Sequence, residues 1–141
     1  ALFGQLPRPV ELTVYLSTLQ ILDLHRLQIR RFGGAAGLRD RSVLESAVAR
    51  PQMTFGGEDL YPDLADKAAA LMHSLVMNHP FMDGNKRVGA HACILFLLAN
   101  EVEPEFSPLD LTNVTLAVAR GEMNAEALAI WLRQRSRRTE G

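Results

Sequence analysis

The stretch His79-Pro80-Phe81-Met82-Asp83-Gly84-Asn85-Lys86-Arg87, HPFMDGNKR, separates two apolar segments with a cluster of charged and amide side chains. Upstream of it, Leu64, Ala68, Leu71, Met72, Leu75 and Val76 recur at the spacing of one helix face. Pro80 disfavours helical geometry at His79, so this helix is expected to end near Asn78. Downstream, a second helix is predicted from about Asn85 to Ala99. Its run Ile94-Leu95-Phe96-Leu97-Leu98 leaves almost no polar face, which predicts a central helix surrounded by others. Gly89, Ala90 and Ala92 are small enough to let its first turns approach a neighbour closely. Two helices joined by a short polar turn set the fold class.

Outward from this pair the signals remain helical. Ser17 and Gln20 have the spacing of a capping box, opening a helix that should run to about Phe32, where Gly33-Gly34 stops it. Asp40 is a good N-cap for a short helix ending before Pro51. Pro51 to Tyr61, PQMTFGGEDLY, carries a Gly-Gly break between short runs and reads as a loop or small hairpin. Ser107-Pro108 starts another helix, Gly121 ends it, and Asn124 caps a last one carrying Leu128, Trp131 and Leu132. No repeat or convincing alternating strand is present. The expectation is an all-α domain, a bundle of about six helices with at most one small β-hairpin. Residues 1–12 are read as a flexible leader, 13–138 as a single domain and 139–141 as a tail.

The 141 residues suffice for one core, and 48% apolar with 22% charged residues is ordinary for a globular protein. A formal charge of −1 gives no long-range attraction for a polyanion, so no direct nucleic-acid contact is expected. The basic run Arg133 to Arg138 is read as a solvated, frayed end. Cys93 has no disulfide partner and lies in an apolar run, as a small buried hydrophobe. The longest nearly apolar run, Val88 to Ala99, is too short to span a bilayer. No membrane association and a cytoplasmic location are expected.

The polar turn feeds directly into a helix N-terminus, where free N–H groups and the helix dipole attract phosphate or carboxylate. Gly84 removes a side chain that would keep an anion from the backbone. Lys86 and Arg87 put two cations in a first helical turn, an unfavourable placement of a few tenths of a kcal/mol unless an anion neutralises them. A bound polyphosphate would do so. Asp83, beside such a site, is a candidate Mg²⁺ ligand, since Mg²⁺ is often held by one or two carboxylates plus phosphate oxygens. It is equally a candidate N-cap, and the two roles are compatible. His79 is a candidate general base. Phe81 is expected to point inward and anchor the loop. His25, His73 and His91 lack a zinc-site spacing and are read as packed or hydrogen-bonded structural residues.

HPFMDGNKR resembles the signature loop of the Fic/Doc superfamily, His-x-Phe-x-Asp/Glu-Gly/Ala-Asn-Gly/Lys-Arg. Arg30 to Gln52, Ile94 to Glu103 and Leu116 to Leu132 are similar to the death-on-curing (Doc) toxin branch, and the resemblance spans about Leu16 to Arg138. It implies a toxin of a toxin–antitoxin pair that uses ATP and Mg²⁺ to modify a protein hydroxyl. His79 would then be the catalytic base, Asp83 the metal ligand, and Gly84, Asn85, Lys86 and Arg87 the phosphate-binding residues. A hairpin near Gln52 to Leu60 would be a flap that aligns the target by strand pairing. For the Doc branch the implied target is translation elongation factor Tu. The implied partner is an antitoxin whose helix lies in the active-site cleft.

Within the loop two branches of the family meet. Lys86 stands where AMP-transferring relatives have Gly, and its bulk and charge go with a reversed nucleotide that presents the γ-phosphate. Pro80 and Gly84 resemble the AMP-transferring branch instead. The wider chain favours a protein kinase; AMP transfer and an inactive nucleotide-binding module remain the alternatives. Ser136 to Gly141 also fits a loose inhibitory motif of some Fic proteins. The arginine that pairs with its glutamate in the family is replaced by Ala90, so Glu140 is read as tail and inhibition as the work of a separate antitoxin.

Overall fold

The computed structural model describes residues 12–139. Six α-helices account for most of them: α1 Thr18–Phe32, α2 Arg41–Ala49, α3 Leu64–Asn78, α4 Asn85–Ala99, α5 Pro108–Ala119 and α6 Ala125–Gln134. A 3₁₀ turn, Arg50–Gln52, follows α2. Strands β1 Thr54–Phe55 and β2 Glu58–Asp59 form a hairpin between α2 and α3, while β3 Val102–Pro104 pairs antiparallel with β4 Ser136–Arg138. The fold is mainly α, as the apolar periodicity predicts.

The caps define the helix starts. Ser17 and Gln20 close a reciprocal capping box on α1, with bonds of 3.1 and 2.7 Å. Asp40, Asp63, Ser107 and Asn124 each accept an N–H of the following helix with a side-chain oxygen. Gly33 ends α1 with φ 80° and returns its N–H to the Ile29 carbonyl at 2.8 Å. Its ψ of −178° is extended, not left-handed helical.

Helix α3 lies at the centre. Ala68, Ala69, Ala70, Leu71, Met72, Leu75 and Val76 are all buried, so it is covered on nearly every side. Helix α4 crosses it closely. A Cβ added at Gly89 would lie 2.6 Å from Val76 Cγ2 and 3.3 Å from the Met72 carbonyl oxygen. Gly89→Ala is therefore expected to cost about 1–3 kcal/mol through overpacking, read from chemical denaturation. Unchanged stability would contradict this packing.

Three expectations are corrected. Helix α4 is not the surrounded one: Leu95 and Leu98 are 44% and 52% exposed, and the apolar face they share with Ile94 borders an open groove. Its apolar surface exceeds what α3 covers, a distribution that hydrophobicity alone cannot apportion. The basic C-terminal run is not frayed. Arg137 bonds Glu103 at 2.7 Å and Glu105 at 3.4 Å, Arg133 bridges Asp63 and Asp66, and Arg135 stacks 4.7 Å from the Trp131 ring centroid. Each of these three cations has a partner far along the chain or on the preceding helix turn. The backbone of β4 pairs with β3, so the described residues hold two small strand pairs where at most one hairpin was expected. Most of the leader, and Glu140 with the end of the inhibitory-like pattern, lie outside the described residues.

Candidate active site

Helix α3 ends because Pro80 follows His79, and His79 takes a left-handed conformation, φ 50° and ψ 61°. The chain then crosses from α3 to α4 in a loop held at many points. Phe81 is 1% exposed and bridges antiparallel to Leu38. Met82 donates its N–H to the Gly37 carbonyl at 3.1 Å. The Phe81 ring stacks on His25, with centroids 3.8 Å apart and planes 6° from parallel. His25 is buried and its Nε2 donates to the Asp83 carbonyl at 2.8 Å, which puts the ring proton on Nε2. His25 is thus a hydrogen-bonded structural residue, and what it supports is this loop.

Asn85 turns inward. Its side chain is buried, accepting the Phe81 N–H and donating to the Phe81 carbonyl, each at 3.0 Å. Both ends of the amide close the loop on itself, so the side chain is not turned out toward a phosphate. Lys86 remains exposed. Arg87 is half-buried, donates through Nη2 to the Gly33 carbonyl at 3.1 Å and lies 5.4 Å from the Phe32 ring centroid. The end of α1 therefore flanks the start of α4.

Asp83 is exposed. Its Oδ1 accepts the Gly84 N–H at 2.9 Å and its Oδ2 accepts the Ala35 N–H at 3.3 Å. These two bonds hold its carboxyl below the usual carboxylate range, with smaller help from the Arg87 and Lys86 charges. The loop from α1 comes so close that a Cβ at Gly34, where φ is 114°, would lie 2.6 Å from Asp83 Oδ2. Gly34→Ala is expected to push the carboxylate off the Ala35 N–H. Its titration, followed by carboxyl-carbon NMR, should then move up toward the ordinary range; an unchanged titration would contradict this contact.

Gly84 is the N-cap of α4 in a left-handed conformation, φ 80° and ψ 13°. A Cβ there would meet Ile29 and His25 at ordinary contact distances of 3.4 and 3.7 Å, so glycine is required by φ, not by crowding. Of the six α-helices, α4 alone has no side-chain cap bond at its start. It is also the one that begins Asn-Lys-Arg; like α1 and α2, it has no acidic residue in its first turn.

From Lys86 and Arg87 an apolar groove of about 820 Å³ runs along α4 past Ala90, Ile94, Leu95 and Leu98, with Phe106 and Leu111 on its far wall. His91 lines it, and burial followed by the Arg31 charge lowers its pKa, so its ring is neutral at neutral pH. Between α2 and α3, the β1–β2 hairpin presents Phe55, 82% exposed. The hairpin is tethered by Lys67, a lysine only 1% exposed, whose Nζ bonds Asp59 Oδ2 at 3.1 Å and the Tyr61 carbonyl.

The model of the Fic/DOC family matches residues 15–97, which run from the start of α1 through the turn and most of α4. The chain belongs to the Fic/DOC family. Over 72 residues it is 53% identical to the protein named Toxin Doc of Mycolicibacterium smegmatis, covering 51% of this chain and 55% of that one. The match thus spans about half the length of that relative. Over 120 residues it is 31% identical to the protein named Protein kinase doc of Escherichia phage P1, covering 85% of this chain and 94% of the phage protein. The family match includes every residue of the turn from His79 to Arg87.

The residues at this Fic/DOC turn fit a nucleotide with Mg²⁺. An ionised, exposed Asp83 stands beside N–H groups of α4 that no side chain caps, with Lys86 and Arg87 next in sequence. Among the described residues, no group of three or more His, Cys, Asp or Glu side chains could hold a metal ion. A cation here would have Asp83 as its protein ligand and complete its shell with phosphate oxygens and water, as Mg²⁺ commonly does. His25, Gly34 and Ala35 had no mark in the sequence as site residues. Only the Gly33-Gly34 pair, conspicuous after a helix, pointed toward them.

Proposed function

We propose that this protein is a Doc-like toxin that transfers the γ-phosphate of ATP to a Ser or Thr hydroxyl of a protein, with translation elongation factor Tu as the target. The observation that carries the reading is the start of α4, a helix N-terminus left without a side-chain cap beside an ionised Asp83 and followed by two cations. The similarity to Protein kinase doc over 94% of that protein's length supports the same chemistry.

In this reading, His79 takes the proton of the incoming hydroxyl, making its oxygen the nucleophile. Asp83 would hold Mg²⁺, which neutralises phosphate charge as it is transferred. The N–H groups of the first turn of α4 bind phosphate oxygens at the positive end of the helix dipole. Lys86 and Arg87 add charge there, and Asn85 keeps the loop in shape by holding Phe81. Lys86, in place of the Gly of AMP-transferring relatives, favours γ-phosphate transfer. The left-handed Gly84 after Pro80 resembles those relatives and keeps AMP transfer as the second reading.

The β1–β2 hairpin would serve as the flap for the target segment, its backbone edge pairing with an extended chain. The groove beside α4 suits an antitoxin helix, since Leu95 and Leu98 offer an apolar strip that ends at Lys86 and Arg87. No helix among the described residues is long and apolar enough to cross a membrane. We place the protein in the cytoplasm with its target. Cell-free bacterial translation tests the reading: wild type plus ATP should stop synthesis and leave elongation factor Tu heavier by a phosphate. Unaffected synthesis with unmodified factor would reject this target.

A further inference from the structure

We propose that Arg39 is a positioning residue for the transfer reaction, fixing His79 through the carbonyl groups that close α3. The proposal rests on the reading of His79 as the base. Arg39 donates from Nη2 to the Asn78 carbonyl at 2.8 Å and from Nε to the His79 carbonyl. Its own backbone N–H and that of Asp40 both reach the Pro80 carbonyl, at 2.8 and 3.1 Å. Three successive carbonyls, those of Asn78, His79 and Pro80, are thus met from one point on the α1–α2 connection.

The need for such a partner follows from how α3 ends. The last carbonyls of a helix have no intrahelical donor, and an ordinary C-terminal motif supplies one from the residues that follow. Here Pro80 has no N–H to give. His79 also carries a Cβ in a left-handed conformation, which side-chain-bearing residues disfavour. Left alone, this junction would be free to relax, and the imidazole would move with it. A guanidinium is suited to the task because its planar fork presents two N–H groups to two neighbouring acceptors.

The arrangement also makes the role separable from the fold. Arg39 is exposed, and its carbonyl bonds lie at the surface end of α3, away from the core. Removing the side chain takes little from the packing between α3 and α4. What it removes is the constraint on the backbone of His79. Misplacing a catalytic group by about 1 Å can cost on the order of 100-fold in rate.

The test compares wild type, Arg39→Ala, Arg39→Lys and Arg41→Ala by steady-state kinetics, thermal unfolding and hydrogen exchange over residues 78–82. Arg41, paired with Glu45 on α2, is the control for loss of a nearby charge. Arg39→Ala is expected to lower kcat about 10- to 100-fold, leave KM for ATP within about twofold and speed exchange at 78–82 without moving the unfolding midpoint. Arg39→Lys should recover part of the loss, because a point charge cannot span both carbonyls, and Arg41→Ala should match wild type. A wild-type kcat in Arg39→Ala, or a loss confined to KM, overturns the proposal. So does a kcat loss accompanied by a lower midpoint and faster exchange everywhere. If wild type transfers nothing yet exchange at 78–82 still rises in Arg39→Ala, the base reading fails and takes the catalytic role of Arg39 with it, although the clamp on the backbone stands.

Discussion

His79→Ala is expected to lower transfer by about 10²- to 10⁴-fold while nucleotide affinity stays within about twofold of wild type. The separation follows from how the residue is held. The bonds that fix the α3–α4 junction fall on backbone groups: the His79 carbonyl is held by Arg39, the Pro80 carbonyl by Arg39 and Asp40, and the Phe81 peptide by Asn85. Cutting the imidazole off an exposed position leaves those bonds in place. The groups proposed to bind phosphate begin at Gly84, beyond the buried Phe81 in sequence. His79→Asn is the second variant, because Asn tolerates the left-handed conformation and separates backbone strain from lost chemistry. Both variants should bind nucleotide and transfer poorly. Parallel loss of binding and transfer in both would assign His79 to structure instead.

Asp83→Asn and Asp83→Ala are expected to remove the Mg²⁺ dependence of nucleotide binding, with a loss of about 10- to 100-fold in affinity at saturating metal. Asn keeps an oxygen that can accept the Gly84 or Ala35 N–H but loses the charge, so it isolates the metal's requirement from that of the loop. The pH dependence has a definite sign. The Gly84 and Ala35 N–H groups favour the ionised carboxylate, with the Arg87 and Lys86 charges adding to them, so protonation is postponed to lower pH. Metal-dependent binding should therefore hold as pH falls through the ordinary aspartate range and weaken only below it. Titration calorimetry against an ATP analogue, with and without Mg²⁺, would measure this. Identical metal dependence in wild type and Asp83→Asn would show that Asp83 is a loop residue only.

Much of this molecule was legible in its sequence because its information is local. Ser17, Asp40, Ser107 and Asn124 mark helix starts by side chains that reach only a few residues ahead. Pro80 ends α3 by its own ring, and Gly89 announces a close crossing because few other reasons put glycine inside a helix. The fold class and the position of the polar turn follow from such features.

What sequence did not disclose depends on pairs distant along the chain. Arg137 meets Glu103 and Glu105 only after α5 and α6 have turned back, so the end of a basic run that looked solvated is a strand. Lys67, buried on α3, finds its partner in the hairpin's Asp59, a pairing no local signal marks. Within the site, His79, Asp83, Lys86 and Arg87 were visible as chemistry on one turn, but their supports were not. His25 reaches Asp83 from 58 residues away, and Arg39 reaches His79 from 40. Asn85, a polar side chain in a phosphate-binding pattern, also turns inward, its amide held by the buried Phe81 backbone.

The central claim is that this turn transfers the terminal phosphate of ATP to a protein. The most direct measurement incubates the protein with elongation factor Tu, Mg²⁺ and ATP labelled in one set at the α-phosphate and in another at the γ-phosphate. Label is expected on the target from γ alone, and none with His79→Ala. Label from α alone would make the protein an AMP transferase, and no label from either, with nucleotide still bound, would make it a binding module.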